Sequence, residues 1–280
     1  MFWAIVSGVL FVGVTGAVRH LGSDMNAIQS AFIRYVFGTL LFIPLYWQLA
    51  QRRAYPARVE LHMLRGVVHG IGVMLWFYAM ARIPIAEVTA IGFTAPIFVT
   101  LGAALFLGER LQRRRITAIV IGFVGAMIIL RPGVEAIELG ALAQLAAAPL
   151  FACSIIVGKQ LSRTESSAAI VAYLSLFVSV VLAIPAFVVW RTPTTYELGW
   201  LLLTALIATS GHYAMQRAFS YVDLTMLQPF TFLQLVWATL LGLYIFGEVP
   251  DAWTWVGGGV IVASASYIAH REAVLRRQRR

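Results

Sequence analysis

Charge is what this chain lacks most. Only 12% of its 280 residues are Asp, Glu, Lys or Arg, and 60% are hydrophobic, with a mean hydropathy of +0.84. A water-soluble domain carries about 25% charged residues, so this chain has too few to keep a folded surface wet. Its one cysteine, Cys153, lies in an apolar run and excludes an intrachain disulfide; it reads as a small helix-packing residue or, less simply, as part of a pathway lining. No HExxH, phosphate-binding loop, GxSxG elbow or aspartate-rich cluster occurs, and Gly158-Lys159-Gln160 lacks the upstream glycine a nucleotide loop needs. The five histidines, His20, His62, His69, His212 and His270, show no metal-ligand spacing, and only His69 and His212 fall within predicted helices rather than near their ends. The sequence therefore predicts no metal, no cofactor and no enzyme. The apolar runs do not alternate with period two, which excludes a transmembrane β-barrel. The opening Met1-Phe2-Trp3 has no basic leader and does not read as a cleaved signal peptide.

What remains is a series of long apolar runs. Ten fit, at residues 2–18, 27–48, 62–81, 86–108, 116–130, 139–158, 168–190, 199–217, 224–246 and 253–269. About 20 residues rising ~1.5 Å each cross a ~30 Å hydrocarbon layer as a helix. The expected fold class is an all-α integral membrane protein with ten transmembrane helices and short connections.

The net charge of +9 raises the question of nucleic acid, but its distribution answers otherwise. Arg52, Arg53 and Arg58, then Arg110, Arg113, Arg114 and Arg115, then Lys159 and Arg163, then the tail Arg271, Arg276, Arg277, Arg279 and Arg280 all fall on one side if the segments alternate. The other side holds Arg19, Arg82, Arg131 and Arg191, with Glu135, Glu138, Glu197, Glu248 and Asp251 nearby. Short basic loops stay cytoplasmic, so both termini are predicted inside a cell inner (plasma) membrane, the basic face meeting anionic lipid of the cytoplasmic leaflet.

The chain also repeats itself. Tyr78-Ala79-Met80-x-Arg82 recurs as Tyr213-Ala214-Met215-x-Arg217, and Phe106-Leu107-Gly108-Glu109 is echoed by Phe246-Gly247-Glu248. Pro96 pairs with Pro229, and Ile43-Pro44 with Ile184-Pro185. Five segments per half, an odd number, turn the second half over in the membrane. Two inverted-topology repeats, 1–133 and 134–280 with its basic tail, are the arrangement of secondary transporters, which bind cargo where the repeats meet.

Within that frame, Pro96 and Pro229 each remove an amide and free backbone carbonyls, as helix breaks or gates of a cavity; the plainer reading is a packing kink. Polar and aromatic residues gather in the third and fourth segments of each half. The expected substrate contacts are His69, Trp76, Tyr78, Thr94, Tyr213, Gln216, Gln228, Gln234 and Trp237, the last two lying three apart on one helix face. Singly, each could serve helix–helix hydrogen bonding, worth about 0.6 kcal/mol. Arg34, the deepest ionisable group, has three readings: snorkelling outward, pairing with an acid, or meeting a substrate carboxylate. Arg65 is expected to snorkel, and Glu248 to sit at a membrane interface. Gly66-x-x-x-Gly70, Gly122-x-x-Gly125 and Gly257-Gly258-Gly259 permit close helix approach, as an internal scaffold or a homodimer face.

The strings Tyr78-Ala79-Met80-Ala81-Arg82-Ile83-Pro84, Phe93-Thr94-Ala95-Pro96 and Leu107-Gly108-Glu109-Arg110 resemble an EamA-type domain of the drug/metabolite transporter superfamily. The stretch from Tyr213 to Gly247-Glu248-Val249-Pro250 is similar to the same pattern. The resemblance implies a 5+5 bundle whose cavity is lined by segments 1, 3, 4, 6, 8 and 9. It implies a carrier of a small metabolite, with amino acids expected and export favoured by family habit. The alternatives are an exporter of drug-like cations, an importer of another metabolite, or a facilitative channel. The small multidrug relatives carry a glutamate in their first helix; Phe2 to Val18 has no acid, which weighs against cationic drugs.

Overall fold

In a computed structural model, the structure describes residues 2–21, 25–52, 56, 58–92, 94–95, 97–99, 102, 113–130, 138–221 and 233–278. Every regular element among them is helical. In chain order these are α1 (Phe2–Leu21), α2 (Ala27–Leu40), α3 (Ile43–Gln51), α4 (Val59–Met80), α5 (Ile85–Gly92), α6 (Arg113–Leu130), α7 (Leu139–Leu161), α8 (Ser167–Val188), α9 (Thr195–Tyr221), α10 (Leu233–Phe246) and α11 (Ala252–Gln278).

Five of these, α1, α4, α7, α8 and α9, are long and apolar enough to cross a membrane. The α2–α3 pair makes a sixth span if its halves, bent by 49°, are taken together. The bend falls just before Pro44, which occupies the first turn of α3, where a missing amide does no harm. The echoed Pro185 instead lies within α8, so the two Ile-Pro pairs occupy unlike positions. Shorter apolar stretches run over Trp237–Phe246 and Ala252–Ser264.

Local chemistry sets several helix ends. The Asn26 side chain accepts from the Ile28 amide and starts α2; that of Ser166 accepts from Ala169 and starts α8. Thr194 and Glu197 form a reciprocal capping box at α9: the Thr194 amide donates to Glu197 Oε2 at 2.7 Å and the Glu197 amide to Thr194 Oγ1 at 3.3 Å. After α10 the chain turns through Gly247 at φ +66°, a conformation that favours glycine.

Each helix of the first half takes its main neighbour from the second. Helix α1 lies on α9, α2 on α8, α4 on α7, α5 on α7 and α10, and α6 on α11. One buried apolar cluster spans both halves, from Val14, Tyr35, Val73, Phe77 and Ile91 to Leu174, Val178, Leu182, Ala208 and Ile261. Small residues set the closest approaches. A Cβ on Gly257 would lie 2.6 Å from the Gly125 carbonyl oxygen, so α6 and α11 touch backbone to backbone. That use of the two glycine patterns is within the chain. Outward faces are apolar: Val180, Ile184, Phe187 and Val188 on α8 are each more than 60% exposed, as lipid-facing side chains would be.

Candidate functional site

A cavity of about 320 Å³ lies at the centre of the bundle. Its wall draws on α1 (Phe11, Thr15), α4 (His69, Trp76), α5 and the residues after it (Val88, Thr89, Ala95), α7 (Gln144, Ser154), α9 (His212, Gln216) and α10 (Gln234). Helix α2 adds Arg34 and Tyr35. Pockets for small molecules span about 300–1,000 Å³ with a mainly apolar lining and a few placed polar groups. This cavity fits that description.

The polar side chains are held by partners distant in the chain. His69 Nδ1 and Ser154 Oγ are 3.0 Å apart, and Arg65 Nε donates to the same Ser154 oxygen at 3.3 Å. Arg65 Nη2 donates to Gln216 Oε1 at 3.4 Å, and Gln216 Nε2 donates to the Gly158 carbonyl at 3.2 Å. Gln234 Nε2 donates to the Gly8 carbonyl at 3.4 Å. The His69 and His212 rings meet edge to face with centroids 5.2 Å apart, and Tyr35 lies against His69 at 6.1 Å. No acidic residue is among the described residues of the wall.

The predicted contacts divide. His69, Trp76, Gln216 and Gln234 line the cavity. Tyr78 does not: it borders a separate cavity of about 490 Å³, with the Arg82 guanidinium 3.6 Å above its ring. Thr94 is buried and donates to the Ile91 carbonyl at 2.8 Å, closing its own turn. Tyr213 packs on Trp3 with centroids 6.3 Å apart, and Trp237 is 48% exposed. Gln228, Pro96 and Pro229 lie outside the described residues.

One expectation is overturned. Arg65 does not snorkel; it is 4% exposed and turns inward. Its two hydrogen-bonding partners, Ser154 and Gln216, come from α7 and α9 and give it a polar inner anchor. A sequence signal existed, since Arg65 stands four residues before His69 and so shares its helix face. Gln144, an amide in the apolar run of α7, also belongs to the wall and was missed.

Both ends of the bundle carry bonds that join the halves. At one, Arg19 and Glu248 pair at 2.6 Å, and the other oxygen of Glu248 accepts the Ile85 amide at 2.8 Å at the start of α5. Gln29 brackets Arg191, accepting from its amide at 3.1 Å and donating to its carbonyl. At the other end, His62 and Glu165 meet at 2.7 Å with 0% and 8% of their side chains exposed.

A multi-helical bundle, apolar outside and hollow at its centre, defines the class: a multi-pass membrane protein with a central cavity. Residues 1–131 and 138–269 each match the EamA-like transporter family, and the chain belongs to that family. It is 30% identical over 255 residues to an S-adenosylmethionine uptake transporter of Rickettsia bellii, covering 91% of this chain and 87% of that one. It is 32% identical over 286 residues to a riboflavin transporter of Rhizobium johnstonii, covering 99% and 92%. A solved crystal structure with 20% identity aligns over 96% of both chains with a TM-score of 0.63, which shows a shared fold. The similarity is to transporters of small metabolites.

Proposed function

We propose that this protein is a secondary carrier that moves an amino acid or amino-acid derivative across the cell inner membrane by alternating access. In this reading the chain crosses the membrane ten times as two inverted five-helix repeats, 1–133 and 134–280, with both termini cytoplasmic. The helix pairing supports the repeat: exchanging the halves turns the α1–α9 contact into the α4–α7 contact and leaves α2–α8 and α6–α11 as themselves. The basic loops gathered on one side support the orientation.

One observation carries the proposal: the central cavity lies between the halves and is flanked at opposite ends by bonds that cross between them, Arg19–Glu248 and His62–Glu165. A carrier needs a closure at each end, with at least one of them shut at any moment, and both are formed here. His69, Trp76, Gln216 and Gln234 are the proposed substrate contacts within the original set. The cargo class draws on the relative named for S-adenosylmethionine, itself an amino-acid derivative. A second reading, a flat heteroaromatic cargo, is favoured by the Phe11, Trp76 and Phe151 wall and by the relative named for riboflavin.

The test is uptake of a labelled amino-acid panel, with S-adenosylmethionine and riboflavin included, into proteoliposomes under inward and outward pH gradients. Saturable flux of amino acids or S-adenosylmethionine is expected, its direction and gradient dependence reporting coupling. Flux of riboflavin alone would replace the first reading with the second. No saturable flux of any compound by folded protein would refute both.

A further inference from the structure

Two arginines stand in the cavity wall with no counter-charge among the described residues. Arg34 is 5% exposed and Arg65 4%. Neither makes an ion pair with a described residue, and the wall's described residues include no Asp or Glu. Their partners are neutral: Arg34 lies over the Tyr35 ring at 3.9 Å, and Arg65 makes its two long bonds to Ser154 and Gln216. Arg34 Nε and Arg65 Nη1 are buried with no hydrogen-bond acceptor. Charges within a membrane bundle are costly and are normally met by an opposite charge. Two unmet guanidinium groups on one small cavity leave a deficit that an anion would fill.

We infer that Arg34 and Arg65 form an oxyanion subsite that holds a carboxylate or phosphate group of the transported molecule. The inference rests on reading this cavity as the transport site, and it narrows the cargo to acids. Guanidinium forks match the two oxygens of such groups and bind them with charge-assisted hydrogen bonds. The rest of the wall describes the rest of the ligand. Phe11, Trp76 and Phe151 offer flat apolar surface, while the unpartnered Gln144 Oε1, 3% exposed, offers an acceptor to an N–H group. A compact acid with an apolar or aromatic body and a hydrogen-bond donor complements all three. A cation has no described carboxylate to meet there, so a carboxyl-blocked amine should bind more weakly than the acid.

The experiment is equilibrium dialysis of radiolabelled probes against the purified full-length protein in detergent, with thermal melting as the check on folding. The probes are L-phenylalanine, 3-phenylpropionate, L-phenylalaninamide and phenyl phosphate, which share a ring and differ in charged groups. Saturable binding of phenylalanine, phenylpropionate or phenyl phosphate is expected, with phenylalaninamide weaker by about tenfold or more, since lost charge-assisted bonds carry at least that factor. Preference between phenylpropionate and phenyl phosphate identifies carboxylate or phosphate as the group held. Arg34→Gln and Arg65→Gln each lower acid affinity by about tenfold, and the Lys variants retain part of it. Phenylalaninamide bound as well as the acids, acid binding unchanged in both Gln variants, or no saturable binding of any probe would overturn the inference. Should a Gln variant fail to fold, its Lys counterpart decides: acid affinity equal to the wild type in both Lys variants, with the amide bound equally, overturns it. Transport of molecules without an acid group would remove the subsite and leave the carrier reading standing. Acid binding without transport would do the reverse.

Discussion

Arg19, at the end of α1, and Glu248, just after α10, meet at 2.6 Å and join the two halves of the chain at one end of the cavity. The arrangement extends past the pair. Arg19 Nη1 also donates to the Met80 carbonyl at 3.0 Å, and Glu248 caps α5 through the Ile85 amide. Four helices, α1, α4, α5 and α10, thus converge on one carboxylate and one guanidinium. At the far end, His62 and Glu165 tie α4 to the turn after α7. In the carrier reading proposed above, opening either end requires its pair to part.

Glu248→Gln is expected to loosen the Arg19 end, and Glu165→Gln the opposite end. The check uses a cysteine placed at Thr15, on the cavity wall, in a Cys153→Ala background, labelled by a membrane-impermeant maleimide from each side of oriented vesicles. Glu248→Gln should speed labelling from the Arg19 side and Glu165→Gln from the other. Equal rates in both variants would mean the pairs are structural clasps only.

Gly158→Ala is expected to impair substrate affinity with little loss of stability. Its Cβ would lie 2.9 Å from Arg65 Cζ and 3.0 Å from Gln216 Oε1, so the two side chains must shift while the backbones stay. An increase in KM of about tenfold, some 1.4 kcal/mol of binding, is the expected outcome in uptake assays. A melting temperature near that of the wild type would separate this effect from misfolding.

Gly66→Ala acts on the fold instead. There the added Cβ would overlap the Phe177 Cβ and lie 3.2 Å from its carbonyl carbon, and backbone cannot step aside as a side-chain tip can. Helices α4 and α8 would have to separate, a destabilisation of ~1–3 kcal/mol typical of overpacking. A lowered melting temperature in detergent checks it, and a midpoint equal to the wild type contradicts the close crossing.

Gln234 and Trp237 share a helix face in sequence, yet their surroundings differ. Gln234 lines the cavity and reaches the Gly8 carbonyl, whereas Trp237 is 48% exposed. Gln234→Ala is expected to raise KM by about tenfold and Trp237→Ala by less than about twofold. The reverse order would return Trp237 to the site.

How far the sequence could be read follows from the range of each interaction. Long apolar runs announce helices because hydrocarbon permits little else, and α1, α4, α7, α8 and α9 are found where such runs lie. Gly125 and Gly257 likewise marked a close contact, since a bare backbone on a helix face invites another. Arg65 could not be placed the same way. Its position near the start of α4 favours snorkelling, and what turns it inward are Ser154 and Gln216, 89 and 151 residues away. Tyr78 shows a related limit. Its aromatic ring fits a cavity by type, and which cavity it borders depends on packing: the ring lies on the second one, beneath the guanidinium of Arg82 four residues on.

Counterflow in proteoliposomes separates a carrier from a pore, because only a carrier whose site faces each side in turn exchanges cargo for cargo. With an accepted acid preloaded inside, labelled acid is expected to enter faster and transiently accumulate, with His69→Ala and Gln234→Ala weakening this and Trp237→Ala leaving it unchanged. Flux that rises linearly with concentration, with no acceleration by internal substrate, would contradict the carrier reading and describe a pore.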